Sequence, residues 1–324
     1  MMKKSLIATA VATALALSTS AVFAAQAPVT LDGSIAYQYR DIDKAGVSSN
    51  ANKATLLLNA NSDLGNGWGV YGRLAVQHVS NQSPADFNTA AYGPNARNVA
   101  AIDQFGLNYK TGDTTYKIGR QPLFVGATGL IYDSTGYLGK QFFTDGVTAM
   151  GKNGALSYQA AVVQEDNIFG PSGKNKIYTA HADYAVTPAF TYGATLGRYN
   201  YEKSTDGTSR NIWAVNAAYN LGSASFYTEY AQTDMNNANK SFDYGVSYKF
   251  DDKNSISANI FRVEQNGEFH TDMTTWDSNS KGIYYTYGHK FTKDTSLNFL
   301  YKDIENITSG VKTTNFRTTA SYNF

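Results

Sequence analysis

Apolar and polar residues alternate with a period of two along most of this chain. In the first such segment, one side carries Val29, Leu31, Gly33, Ile35, Tyr37 and Tyr39. In the last segment, the corresponding side carries Phe316, Thr318, Ala320, Tyr322 and Phe324. This period is typical of β-strands with one apolar and one polar face. Beyond the amino terminus no apolar run of about 18 residues recurs, so transmembrane helices are not expected.

Segments of this type predict sixteen strands. Their ranges are 29–41, 53–64, 68–79, 99–110, 114–121, 143–150, 155–164, 177–186, 189–201, 211–220, 224–232, 240–250, 255–264, 281–291, 295–304 and 312–324. Seven tight connectors rich in Gly, Asn and Asp alternate with longer connectors, among them 42–52, 80–98 and 265–280. The alternation indicates an antiparallel meander with tight turns at one end and long loops at the other.

The contrast between the two faces favours a transmembrane barrel. Sixteen antiparallel strands must curl, split or close, and closure in lipid satisfies every backbone N–H and C=O group. The apolar face is rich in aromatic residues near strand ends. The other face is too polar for a packed core and carries Arg40, Arg73, Lys110, Lys249 and Arg317. We therefore expect an all-β, up-and-down barrel whose polar face lines a water-filled lumen, with both termini on the periplasmic side.

The amino terminus has the pattern of a secretory signal peptide. Lys3 and Lys4 precede an apolar tract over residues 6–17, and Val22, Phe23 and Ala24 end in a small residue. The alternative is a membrane anchor, but Ala, Thr and Ser in the tract favour a signal peptide over residues 1–24. The mature domain would be 25–324. It would carry 25 basic and 26 acidic residues, or 25 − 26 = −1, which does not favour binding to nucleic acid.

Composition and side-chain spacing argue against an enzyme. Charged residues make up 16% of the chain, against about 25% in an average soluble domain. There is no Cys, which excludes a thiol nucleophile, and the four His show no metal-ligand spacing. His181 and Asp183 share a face, but side chains two residues apart run parallel, so no catalytic pair is expected. Glu229 and Asp243 are interpreted as solvated groups lining a pore. No cofactor is implied.

The connector after the fifth strand is unusually apolar for an external loop. Residues 121–140 include Leu123, Phe124, Leu130, Ile131, Tyr132, Tyr137 and Leu138. A loop in water would not need so many large apolar side chains close together. We expect it to fold into the barrel and narrow the pore. The alternative is a loop that packs on the rim or on a neighbouring subunit.

This region resembles the sixteen-stranded porins of Gram-negative bacteria. Arg120 and Gln121 close the fifth strand, and a long Gly-rich loop carrying Tyr132 and Asp133 follows. The resemblance implies a third external loop that folds inward, and basic wall residues that face acidic loop residues across a constriction.

The resemblance also implies candidate residues for that constriction. By their face, Arg40, Arg73 and Lys117 fit the basic wall, and Asp133 is the acidic residue of the loop. Arg120 shares its parity with outward residues, so it needs a bulge or a position at the rim.

Further expectations follow from the resemblance. It implies a homotrimer, and it implies that Phe324 belongs to the carboxy-terminal signature read by the barrel assembly machinery. The expected function is an outer-membrane porin through which small hydrophilic solutes and ions diffuse passively. One alternative is a solute-specific channel in which Tyr71, Tyr227 and Tyr284 stack on sugars. Another is a structural or adhesive barrel.

Overall fold

The computed structural model describes residues 28–81, 96–136, 138, 143–166, 174–204, 207–271 and 273–324. The signal-peptide prediction, most of the 80–98 connector, and Tyr137 and Lys140 of the apolar loop lie outside these residues. Within them, the secondary structure consists of strands: β1 Val29–Lys44, β2 Val47–Gly65, β3 Trp68–Val79, β4 Asn98–Thr111, β5 Thr114–Gln121, β6 Phe124–Val125, β7 Tyr132–Asp133, β8 Phe143–Asn153, β9 Leu156–Asp166, β10 Lys176–Ala185, β11 Phe190–Asn200, β12 Arg210–Leu221, β13 Ala224–Thr233, β14 Lys240–Lys249, β15 Asn254–Val263, β16 Ser280–Lys290, β17 Thr295–Asn306 and β18 Lys312–Asn323. In the described ranges no helix is long and apolar enough to cross a membrane.

Sixteen of these strands close into one barrel. Each strand pairs antiparallel with its neighbours in the order β1-β18-β17-β16-β15-β14-β13-β12-β11-β10-β9-β8-β5-β4-β3-β2. The two short strands β6 and β7 pair only with each other, inside the connector between β5 and β8. The predicted sixteen-stranded meander is therefore confirmed.

The barrel closes where β18 pairs with β1. Residues from Ser34 to Lys44 lie opposite residues from Asn323 back to Thr313. Gly33 and Phe324 extend this ladder, because each donates its N–H to the other's carbonyl, at 2.9 and 3.0 Å. The Phe324 ring lies over Gly33, where a Cβ would come 2.8 Å from Phe324 Cζ. The last residue of the chain is thus paired at the seam.

The prediction of a long connector over 42–52 is wrong. β1 and β2 stay paired up to Lys44 and Val47, and only Ala45 and Gly46 connect them. Both have positive φ, at 54° and 81°, as in the two-residue turn that matches the twist of a hairpin. Asn-Gly is the usual sequence for such a turn, and the Asn66–Gly67 turn has it. Because the first hairpin has Ala in place of Asn, its sequence does not indicate the same turn.

The two faces of the wall differ as predicted. Large apolar side chains such as Ile35 and Tyr37 are 53% and 55% exposed on the outer face. The inner face buries polar and charged groups, among them Gln77, Asp103, Glu229 and Asp243. Exposed apolar and buried polar surface is the reverse of the arrangement in a soluble protein and suits lipid outside the barrel.

Two connectors pack against buried side chains of the wall. A single hydrophobic cluster joins Leu123, Leu130, Ile131 and Tyr132 of the β5–β8 connector to other buried residues. The β15–β16 connector contributes Phe269, Met273 and Trp276, and the wall contributes Ile177, Tyr199, Ile212 and Phe261. Of the apolar residues noted in the sequence, these four connector residues and Leu138 are therefore buried, and Phe124 is partly buried. The cluster includes wall residues from β10, β11, β12 and β15.

Candidate pore and constriction

A cavity of about 930 Å³ lies between the β5–β8 connector and the wall. Its connector side includes Ala127 and Thr128, and the β15–β16 connector adds Trp276. Its wall side carries basic and acidic groups. The basic residues Lys302 and Arg317 belong to β17 and β18, whereas the acidic residue Asp183 belongs to β10, together with His181. In the ring of sixteen strands β10 lies eight positions from β18. Residues of opposite charge therefore line this cavity from strands on opposite sides of the barrel.

Basic residues cluster on four adjacent strands. Arg40 on β1 lies directly opposite Arg317 on β18. Lys53 lies on β2, next to β1, and is opposite Gln38; Lys302 lies on β17, next to β18, and is opposite Asn315. Like charges in directly opposed positions disfavour each other, so the sequence accepts a cost to keep positive charge here.

Asp277 of the β15–β16 connector partly neutralises this cluster. Lys302 Nζ lies 2.8 Å from Asp277 Oδ2, and the Tyr284 hydroxyl donates to the same oxygen. Burial alone would raise the pKa of Asp277, but the Lys302 ammonium and the hydrogen bonds from Lys302 and Tyr284 hold the pKa below its usual value. Asp277 is therefore ionised and fixes this connector to the wall.

Arg73 forms an ion pair that the sequence analysis missed. Its Nε and Nη2 donate to the two carboxylate oxygens of Asp103, at 2.8 and 2.9 Å. Asp103 is the extra residue of a β-bulge, because Arg73 pairs with Gln104 while Leu74 pairs with Ile102. The sequence held a signal for it: Ile102 and Phe105, three residues apart, are both apolar and both face outward.

Lys117 and Arg120 lie on the same side of the barrel as Arg73. Lys117 Nζ is 4.4 Å from the centre of the Tyr71 ring. Arg120 is only 7% exposed; its Nε donates to the Asp103 carbonyl at 3.1 Å, and its Nη1 lies 3.7 Å from Asp145 Oδ2. The preceding Gly119 has φ of 120°, a conformation that favours glycine. This irregularity explains how Arg120 departs from its outward parity.

Asp133 makes its hydrogen bonds within the two connectors. Its Oδ1 accepts from Thr135 N and Oγ1, at 2.8 and 2.6 Å, and its Oδ2 accepts from Thr275 Oγ1 at 2.8 Å. The acids beside Arg73 and Arg120 are instead the strand residues Asp103 and Asp145. The grouping of all five predicted residues around one constriction stays a prediction.

The side chains of His181 and Asp183 contact each other, so the expectation that they run parallel without pairing is wrong. The expectation that they form no catalytic pair stays a prediction. His181 Nε2 lies 3.0 Å from Asp183 Oδ2, and Nδ1 lies 2.8 Å from Thr195 Oγ1. Asn216 Nδ2 donates to Asp183 Oδ1 at 2.8 Å. The imidazole is long enough to bend along the strand and reach the shorter carboxylate.

Glu229 and Asp243 are not solvated, which corrects their interpretation from sequence. Both carboxylates are fully buried. Glu229 accepts hydrogen bonds from the Ala127 and Thr128 backbone N–H groups, at 3.1 and 2.9 Å. These acids therefore bind the β5–β8 connector rather than water.

The three tyrosines considered for sugar stacking differ in their surroundings. Tyr71 is buried beneath Lys117, and its hydroxyl donates to the Arg120 carbonyl at 3.1 Å. Tyr284 is buried against Trp276, with ring centroids 5.1 Å apart, but it borders the cavity. Tyr227 borders the cavity as well and donates to Asn259 Oδ1. Two of the three therefore reach the cavity.

Comparison with known proteins agrees with this architecture. A family model described as Gram-negative porin matches residues 8–309. A search of curated proteins found no match. Among solved structures, an anion-selective porin from Comamonas acidovorans has 15% identity and a TM-score of 0.61, covering 92% of this chain and 100% of that one.

Two further structures share the fold. A loop-deletion mutant of OmpT, an outer membrane protein of Vibrio cholerae, has 14% identity and a TM-score of 0.58, covering 92% of this chain and 99% of that one. A triple mutant of the Rhodopseudomonas blastica porin has 10% identity and a TM-score of 0.59, with coverage of 92% and 100%. The family match spans most of the chain, and the closed barrel with its polar inner face is the architecture such a match requires. The chain belongs to the Gram-negative porin family and is an outer-membrane channel protein.

Proposed function

We propose that this porin is a general diffusion channel for small hydrophilic solutes and ions, narrowed by its β5–β8 connector. The observation that carries the proposal is the pair of hydrogen bonds from Ala127 and Thr128 to Glu229. Glu229 belongs to β13, which lies six positions from β5 in the sixteen-strand ring. A connector that leaves β5 and binds Glu229 on the inner side of β13 supports a path across the opening.

Pore width and fixed charge would then set what passes. The cluster of Arg40, Lys53, Lys302 and Arg317 lies on one arc of the wall, and Asp183 lies on the opposite arc. We propose that Arg40, Arg73, Lys117, Arg120 and Asp133 contribute to the field at the constriction. A field across the passage orients dipolar solutes and biases ions without requiring a specific binding site.

Deletion of residues 123–138 tests the role of the connector. We expect purified protein to give stepwise conductance in planar bilayers, and the deletion to raise the conductance of each step, because it removes material from the passage. A matched control shortens the exposed β13–β14 connector at residues 235–238, which should leave the conductance unchanged. Equal conductance of the deletion and the parent protein would place the connector at the rim, and absence of steps in all three proteins would contradict the channel.

We further propose export through a cleaved signal peptide over residues 1–24, leaving a porin domain of 25–324. Both termini would be periplasmic, and the mature protein would be a homotrimer inserted by the barrel assembly machinery. The basic and apolar pattern of the amino terminus and the resemblance to sixteen-stranded porins support these proposals. We also infer no catalytic role for the His181–Asp183 pair. Thr195, the hydroxyl next to it, is 1% exposed and so not presented to a solute.

A further inference from the structure

Two carboxyl groups face each other on the inner wall beneath the β5–β8 connector. Glu229 on β13 and Asp243 on β14 are direct cross-strand partners, and both are fully buried. Like charges in opposed positions repel each other, and a buried carboxylate loses its hydration. Two ionised groups here would therefore be unfavourable unless a proton or a cation lay between them. In the described residues, no Lys or Arg forms an ion pair with either acid.

Thr128 of the connector bridges the two acids. Its Oγ1 lies 2.8 Å from Glu229 Oε2 and 2.7 Å from Asp243 Oδ1. A hydroxyl has one proton and can donate to only one of two acceptors. The second short contact therefore needs a proton that comes from a carboxyl group.

The surroundings indicate which acid carries that proton. Glu229 already accepts from two backbone N–H groups, which favours its ionised form. Asp243 has fewer donors: besides Thr128, only the Glu229 backbone N–H interacts with its carboxyl group in the described part of the chain. Its Oδ2 is buried without a hydrogen-bond partner there. The protonated carboxyl group of Asp243 would then donate to Thr128 Oγ1, and the Thr128 hydroxyl would donate to Glu229.

The backbone of the connector fits closely around Glu229. Gly126 has φ of 91°, and a Cβ at this position would lie 2.3 Å from Glu229 Oε1. A side chain at this position would therefore strain the backbone and would displace the Glu229 carboxyl group from its contacts with the connector. The contact between the connector and Glu229 is therefore close and specific, and its geometry depends on the protonation state of the carboxyl pair.

We propose that Glu229 and Asp243 share one proton and act as positioning residues for the connector. With the proton bound, the pair holds residues 126–128 against β13 and β14. When the proton is lost at higher pH, the two carboxylates repel each other, the bridge through Thr128 is broken, and the connector detaches. The widening of the pore that follows rests on the proposed function, in which this connector narrows the passage.

Few other titratable groups face the pair. On β10, His181 is close enough to Glu229 for electrostatic interaction, and Asp183 lies beside His181. Tyr227 interacts with Asp243 from β13, while Phe261 faces Asp243 from β15. A positive charge on His181 would favour ionised Glu229, so the effect of His181 has to be separated from that of the carboxyl pair.

Hydrogen exchange of the connector tests the shared proton directly. In the full-length protein in detergent, we expect amide protection over residues 124–133 to fall on the order of ten-fold between about pH 5 and about pH 9, after correction for base catalysis; this is ~1.4 kcal/mol of opening free energy. Asp243→Asn cannot ionise, and its amide can still donate to Thr128, so protection should persist at the higher pH. Thr128→Ser keeps the hydroxyl and should behave as the parent protein.

Two controls keep the test specific. His181→Gln should retain the pH response, because the shared proton lies on the carboxyl pair. The proposal is overturned if Asp243→Asn loses protection as the parent does, if the parent shows no change with pH, or if His181→Gln alone abolishes the response.

Conductance distinguishes this proposal from the proposed function. We expect single-channel conductance of the parent protein to rise with pH, while Asp243→Asn keeps the conductance that the parent has at low pH. If exchange follows the expected pattern but conductance does not change, the carboxyl pair holds the connector and the connector does not narrow the pore. That result would support the shared proton and contradict the proposed function.

Discussion

Arg73 and Asp103 form a mostly buried, two-point ion pair that affects both fixed charge and stability. The bulge turns Asp103 inward, and its carboxylate meets the Arg73 guanidinium with two hydrogen bonds. Part of the positive charge that Arg73 would give the passage is therefore cancelled. Removing one member of a buried pair leaves the other uncompensated and typically costs about 3–5 kcal/mol.

Reciprocal substitutions at this pair should shift ion preference in opposite directions. Arg73→Glu adds negative charge and should move the reversal potential in a salt gradient toward cation preference. Asp103→Asn removes the negative charge beside Arg73 and should move the reversal potential toward anion preference. Both should lower thermal stability, by on the order of a few kcal/mol. Shifts of the same sign, or no shift in either variant, would show that this pair lies off the ion path.

Individual inward residues could be predicted, but their partners could not. Period-of-two reasoning assigned Arg73 and Lys117 to the inner face, where they contact Asp103 and Tyr71, because the alternation holds at both positions. It failed to find Asp103, since one bulge changes the parity along β4. It also failed for Glu229 and Asp243, whose burial depends on a connector more than one hundred residues earlier in the chain. Alternation reports the face of a residue and carries no information on what covers that face.

At the scale of elements, the strands were predictable because nearly all of them repeat the same two-sided pattern. The first hairpin was the exception, since the residues around Ala45 and Gly46 are polar on both faces and lack an Asn-Gly turn. Its ladder is nevertheless continuous, and Asp43 Oδ1 accepts from Gly46 N at 2.9 Å. In this hairpin the backbone pairing and a side-chain hydrogen bond stabilise a turn that has Gly46 but no Asn before it.

The closing strand supports a prediction about assembly. Deleting Phe324 removes the last two backbone hydrogen bonds of the seam and the ring that lies over Gly33. We expect several-fold less protein in the outer membrane, whereas the protein that does insert should keep its conductance, because Phe324 is at the end of the barrel. Phe324→Tyr retains the aromatic ring and serves as the control. Normal membrane levels after the deletion would show that the seam does not need this residue.

For the barrel as a whole, the residues that border the cavity help to decide between a channel that selects by solute size and one that is specific for a particular solute. Tyr227, Tyr284 and Trp276 border it, but the exposed stacking surface is limited because Tyr284 and Trp276 are largely buried. In liposome swelling with a panel of sugars, we expect rates that fall smoothly with solute size and do not saturate. Saturation by one sugar, and its loss in Tyr227→Ala, would instead favour the solute-specific alternative.

The contact between the two connectors also bears on the order of folding. Asp133 and Thr275 are 142 positions apart in the chain, and the backbone bonds from Phe269 to Ile131 and from Thr275 to Gly129 span similar separations. Contacts at such separation form slowly, because the entropy of closing the intervening chain is lost before they contribute stability. The hairpins need only local contacts, but the contact between the two connectors must wait until β15 and β16 are in place. The apolar residues of the β5–β8 connector therefore remain unburied for most of assembly, and that interval is when a chaperone would protect this protein most.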